Sequence, residues 1–114
     1  MEMPLKSKSS TTTDRRRPAI KLPPIHPGEI LAEELAEIGF SANAFARALD
    51  VPANRITEIL NGKRAVSADT ALRLARYFGT SAKFWLNLQQ SYELAVAERS
   101  VGKTIAQSVR PRAA

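Results

Sequence analysis

Apolar and polar positions alternate along this chain with a helical period, in blocks separated by short turn signals. Ile30, Leu31, Leu35 and Ile38 fall on one face of a first segment that opens near Pro27 and stops at Gly39. Proline suits a first helical turn, and Glu29 there is favourable to the helix dipole. Phe45, Ala46 and Leu49 share the face of a second helix capped by Ser41. Ile56, Ile59 and Leu60 share the face of a third, running from about Pro52 to Leu60 and ending at Asn61-Gly62. Ser67 caps a fourth, with Asp69 in its first turn, apolar positions Ala71, Leu72, Leu74, Ala75 and Phe78, and Gly79 as its stop. Ser81 caps a fifth, predicted over roughly 82–98, after which Gly102 and a basic, Pro-containing tail are expected to fray. No strand is predicted, so the expected class is all-α.

The link between helices two and three is the most specific feature. Asp50-Val51-Pro52 is long enough only for a tight turn. Two helices crossing at roughly 90–120° need a small residue at the crossing, which Ala46 supplies. The turn needs a residue tolerant of left-handed backbone geometry, and Asp50 is among the best after glycine. Val51 is expected to plug the gap between the helices, and Pro52 suits the start of the next one. Together these positions predict a helix-turn-helix, which makes double-stranded DNA the first partner to consider.

Helix five is apolar on two adjacent sides: Phe84, Leu88 and Ala95 form one stripe, and Trp85, Tyr92 and Val96 another. Four short helices can bury one of them. The second is expected to serve a homodimer through Trp85, Tyr92 and Val96, because Trp and Tyr are enriched at such contacts.

Composition narrows the function classes. The chain has 114 residues, enough for one domain with a modest core. It has no cysteine and a single histidine, His26, so thiolate metal sites and histidine clusters are excluded. His26 reads as a capping or packing residue. No metal, no cofactor and no enzyme activity are expected, since no nucleophile–base pair, carboxylate pair or glycine-rich phosphate loop stands out. No apolar run approaches the roughly 20 residues needed to span a bilayer, and the N-terminus has no apolar core of a secretory signal. A cytoplasmic protein is expected, with no membrane partner.

Charge is unevenly spread over the formal +6. Residues 1–24 are rich in Ser, Thr, Lys, Arg and Pro and are predicted disordered; Leu22 to Ile25 reads as an extended lead-in. The domain is expected over 25–98, with a flexible basic tail at 99–114 carrying Arg99, Lys103, Arg110 and Arg112. Helix one is acidic through Glu29, Glu33, Glu34 and Glu37, whereas 41–76 is net basic. A basic half beside an acidic half suits a protein that presents one face to a polyanion.

In a helix-turn-helix, residues near the start of the second helix reach base edges in the major groove. Here those are Ala53, Asn54, Arg55 and Thr57. Asn can pair with adenine, Arg with guanine, and Ala or the Thr methyl can touch a thymine methyl. Each has a plainer role available: Asn54 and Thr57 as solvated helix positions, Arg55 as a phosphate ligand. Asn61, Lys63 and Arg64 suit phosphate contacts, which position without reading sequence. Arg73 and Arg76 are left aside as partners for Glu33, Glu34 or Glu37. An RNA-binding module fits poorly, because no aromatic-lined β-surface is expected.

From Leu22 to about Leu94 the chain resembles the HigA antitoxins, a branch of the lambda-repressor-like (Xre-type) helix-turn-helix family. The segments LPPIHPGEIL, EILNGKR and SADTALRLARYFGTSAKFWLNLQ carry the resemblance. It implies a five-helix lambda-repressor-like domain that binds a RelE-like, mRNA-cleaving ribonuclease toxin, blocks it, and represses its own promoter. The wider family usually opens helix two with Ser-Gln, the Gln anchoring to a phosphate. Here Ala42 follows Ser41, and the Ser41 hydroxyl or Asn43 stands in for that contact. Pro52 replaces the Ser cap that the wider family often has on helix three. The alternative class is a free-standing helix-turn-helix regulator with no toxin.

Overall fold

The fold was obtained as a computed structural model, which describes residues 23–113. Five helices follow one another: α1 (Pro27–Ile38), α2 (Ala42–Leu49), α3 (Ala53–Leu60), α4 (Ala68–Phe78) and α5 (Ala82–Ser108). There is no strand among the described residues. The segment expected to be disordered, 1–24, lies outside the described residues except for Pro23 and Pro24.

Local chemistry sets most boundaries. Ser41, Ser67 and Ser81 each accept a hydrogen bond from the backbone N–H three residues on, at Ala44, Thr70 and Phe84. His26 caps α1: its Nδ1 accepts from the Gly28 N–H at 2.9 Å, and Glu29 reaches back to the His26 backbone N–H. Gly39 and Gly79 close α1 and α4 in the left-handed region. Asp50 does the same for α2 with φ 61°, the one non-glycine residue in that region among the described residues. Pro52 opens α3 without a side-chain cap.

The core is built from Leu31, Leu35, Phe45, Ala46, Leu49, Ile56, Ile59, Val66, Ala71, Leu74 and Trp85. Ala46 is buried, and half-buried Val51 packs beside it at the hairpin. Two positions expected to be apolar contacts face solvent instead: Ile38 and Leu72. Leu72 sits one residue off the Ala71–Leu74 face of α4, so the 100° step per residue carries it outward.

Helix α5 departs from expectation twice. It continues ten residues past 98, to Ser108. A single glycine costs a helix only about 1 kcal/mol relative to Ala, so Gly102 does not end it. The stop comes at Val109, two residues before Pro111, where the proline ring disfavours helical geometry in the residue preceding it. The stripe assigned to dimerisation is also the one that turns inward, at Trp85 and Tyr92. Trp85 is 2% exposed and its Nε1 donates to Thr80 Oγ1 at 3.1 Å. Tyr92 is half-buried, its ring meeting His26 edge-on at 4.8 Å. Trp85 and Tyr92 are therefore committed within the chain. Thr80 explains the choice, since a buried indole needs an acceptor for its N–H. Val96 and Phe84 stay exposed.

Candidate nucleic-acid interface

The hairpin of α2 and α3 is held from beneath and left open above. Phe45, Ala46 and Leu49 of α2 meet Ile56 and Ile59 of α3 in the core. With that side of α3 buried, Ala53 and Asn54 are exposed at its N-terminus, and Arg55 and Thr57 are partly so. The Thr57 hydroxyl turns back on its own helix, within 3.4 Å of the Ala53 carbonyl and 3.3 Å of the Asn54 carbonyl. This satisfies the hydroxyl locally and leaves the methyl as the part free for an apolar contact. Because Pro52 gives no side-chain cap, the first amides of α3 retain their partial positive charge toward any anion approaching that end.

Around this tip stand the other residues singled out from the sequence. Ser41 and Asn43 are exposed at the start of α2, with the Ser41 oxygen accepting from Ala44. Asn61, Lys63 and Arg64 are exposed in the turn after α3. The loop beyond them is fixed by a residue that sequence reading passed over. Gln89 of α5 is 5% exposed, accepts from the Val66 N–H at 2.9 Å and donates to Glu93 at 2.8 Å. Its i−4 spacing from Glu93 was the only signal in the sequence.

Three arginines are paired in ways the sequence did not suggest. Arg64 grips Glu58 with two nitrogens, Nε at 2.8 Å and Nη2 at 2.7 Å, so it is not a bare phosphate ligand. Arg55 Nη1 donates to Asp69 Oδ1 at 2.8 Å. Arg73 donates to that same oxygen through Nε at 2.7 Å, and its Nη1 reaches the carbonyls of Leu49 at 2.8 Å and Asp50 at 3.2 Å. Arg73 thus pairs with Asp69 and the end of α2, not with the glutamates of α1. The Arg73 guanidinium, and after it that of Arg55, hold the Asp69 carboxyl below its ordinary range. Lys63 has no ion pair among the described residues.

The arrangement can dock a helix end against a polyanion and offer Asn, Arg and a methyl group to base edges. No group of His, Cys, Asp and Glu able to hold a metal occurs among the described residues. No helix there is long and apolar enough to cross a membrane.

Comparison with known proteins agrees with this geometry. The family profile for "Helix-turn-helix" matches residues 31–85. Virulence-associated protein I of Dichelobacter nodosus is 55% identical over 80 residues, which is 69% of this chain and 74% of that protein. An addiction module antidote protein of the HigA family from Coxiella burnetii superposes with a TM-score of 0.78 at 54% identity, over 80% of this chain and all of the other. The Pseudomonas aeruginosa antitoxin HigA, solved with the higBA promoter, superposes with a TM-score of 0.77 at 50% identity. That alignment covers 79% of this chain and 99% of the other.

Proposed function

The chain belongs to the lambda-repressor-like helix-turn-helix family, in its HigA branch, and on that footing we propose that it is the DNA-binding antitoxin of a toxin–antitoxin pair. It represses its own operon and neutralises a RelE-like, mRNA-cleaving ribonuclease in the cytoplasm. The observation that carries the DNA half is the exposed N-terminus of α3, with Ala53, Asn54, Arg55 and Thr57 outward and Ile56 and Ile59 buried. A relative of half-identical sequence, solved with the higBA promoter, supports the DNA-binding reading.

In this reading Asn54 and Arg55 contact base edges, Ala53 and the Thr57 methyl touch thymine methyls, and Ser41, Asn43, Asn61, Lys63 and Arg64 lie along the phosphates. The chain acts as a homodimer on a pseudo-palindrome with half-sites about one helical turn, roughly 34 Å, apart or a multiple of that. Toxin and DNA occupy different surfaces, because α3 is committed to the groove. Acidic α1, with Glu33, Glu34 and Glu37 exposed, suits an enzyme that is positively charged around an mRNA-binding site.

Two experiments test the halves separately. Footprinting on the chain's own promoter should protect two related half-sites. Protection of a single half-site by a monomer at full affinity rejects the dimer. Where a small basic protein encoded beside it arrests growth, co-expressing this chain should restore growth, and an Arg55→Ala, Lys63→Ala variant should restore it equally. If the neighbouring protein is harmless on its own, the chain is a free-standing regulator.

A further inference from the structure

The Arg55–Asp69–Arg73 chain is more elaborate than stability requires. Asp69 is already placed without Arg55: it lies in the first turn of α4, behind the Ser67 cap, where the helix dipole favours a negative charge. Arg73, one turn further on, clasps it while bonding the carbonyls that end α2. The Asp69 side chain is 57% exposed, and ion pairs at such exposure add little to folding.

What the contact with Arg55 does accomplish is geometric. Arg55 sits in the first turn of the reading helix, with a long side chain free to adopt many rotamers. Among the described residues it is bonded through Nη1 alone, to Asp69. A guanidinium reads guanine through two parallel N–H groups, and the Nε–Nη2 edge has no hydrogen-bond partner among the described residues. The carboxylate is fixed to the end of α2 by Arg73, so the direction of Arg55 is referenced to the hairpin itself and not to α3 alone.

We propose that Asp69 is a positioning residue for sequence discrimination: anchored by Arg73, it presents one edge of Arg55 to a base in the major groove. The proposal rests on the DNA-binding reading above. It carries an unusual sign. A carboxylate beside a phosphate-lined groove repels every DNA alike, so Asp69 weakens non-specific binding while sharpening the choice of sequence.

The test is to titrate the full chain, and variants of it, with a duplex carrying its own promoter and with a scrambled duplex of the same composition. Asp69→Ala should bind the scrambled duplex several-fold more tightly and lose about tenfold of the preference for the promoter, the size of one good bidentate pair. Asp69→Asn, which keeps an acceptor oxygen but not the charge, should show the same gain on scrambled DNA while keeping much of the preference. In an Arg55→Ala background, Asp69→Ala should change the preference no further. Circular dichroism confirms that each variant is folded; if Asp69→Ala is not, Asp69→Asn and its Arg55→Ala double variant carry the comparison. Tighter promoter binding with undiminished preference would make Asp69 a brake on Arg55 and overturn the proposal. So would an equal loss of preference with and without Arg55. An unaltered chain that shows no preference for its promoter removes the DNA reading along with it.

Discussion

Gly28 lies directly against the carbonyl oxygen of Ile59: a Cβ on Gly28 would overlap that backbone atom. The contact seats the first turn of α1 on the last turn of α3, with the Gly28 N–H held by His26 in the same cluster. Neither backbone can yield without moving a helix. Gly28→Ala should therefore destabilise the domain by about 1–3 kcal/mol, the range for forcing extra volume into a packed site. Because α3 carries the residues proposed to read bases, promoter affinity should fall as well. Thermal denaturation measures the first effect, and an unchanged midpoint would show that the two helices can separate freely.

His26 makes stability depend on pH. Its Nδ1 is the acceptor that caps α1, so the imidazole must be unprotonated on that nitrogen to do so. Burial lowers its pKa from the ordinary value, with Glu29 and a backbone carbonyl at Arg64 opposing this. A lowered folded-state value means that the unfolded chain takes up the proton more readily. Stability is then full above the ordinary imidazole value of about 6.5 and declines as pH falls through it and on through the folded value. Denaturation midpoints from pH 8 to pH 5 should decline through that window, and His26→Gln should flatten the decline. A flat profile for the unaltered chain would show that His26 does not couple protonation to folding.

Most helix boundaries were legible in the sequence because they are set by neighbours. Ser41, Ser67 and Ser81 satisfy amides three residues away, and Gly39, Gly79 and Asp50 take up left-handed geometry on their own account. The end of α5 was not legible in this way. Gly102 looks like a stop but costs too little to be one, and the proline that matters is further on. Which face of α5 is buried was equally hidden, since both stripes are apolar and only Thr80 and His26, outside the helix, distinguish them. The residues proposed to read bases were chosen from their place in the hairpin, whose exposed tip carries them, but their partners within the chain could not be read from the sequence. Arg55 and Asp69 are 14 positions apart, and only the packing of α4 beside the hairpin brings them together.

Arg64 and Lys63 are adjacent in sequence but should behave differently on DNA. Lys63 has no ion pair among the described residues, so Lys63→Ala should weaken all duplexes alike and lower the salt slope by about 0.9. Arg64 is held by Glu58, and to bind a phosphate it must share or surrender that carboxylate. Glu58→Gln should therefore raise affinity for promoter and scrambled DNA together, an effect that Arg64→Ala should abolish. Titration over a range of salt concentrations separates these outcomes. If Glu58→Gln has no effect, Arg64 does not reach the phosphates.

Dimerisation, if carried by α5, must use the surface the core leaves over. Trp85 and Tyr92 are taken, but Leu94, Val101 and Ile105 recur at intervals of seven and four along one side of the helix. All three are exposed, at 62%, 43% and 51%. That side is opposite to Trp85 and Gln89, so a charge there need not disturb the fold. Val101→Glu with Ile105→Glu should yield folded monomers with weakened promoter binding, each half-site then being held without help from the other. Tyr92→Glu should instead lower stability, since it places a charge against His26 in the interior. Sedimentation together with circular dichroism distinguishes the two. A double variant that remains dimeric would rule out this face, and folded monomers from Tyr92→Glu would return the interface to the inner stripe.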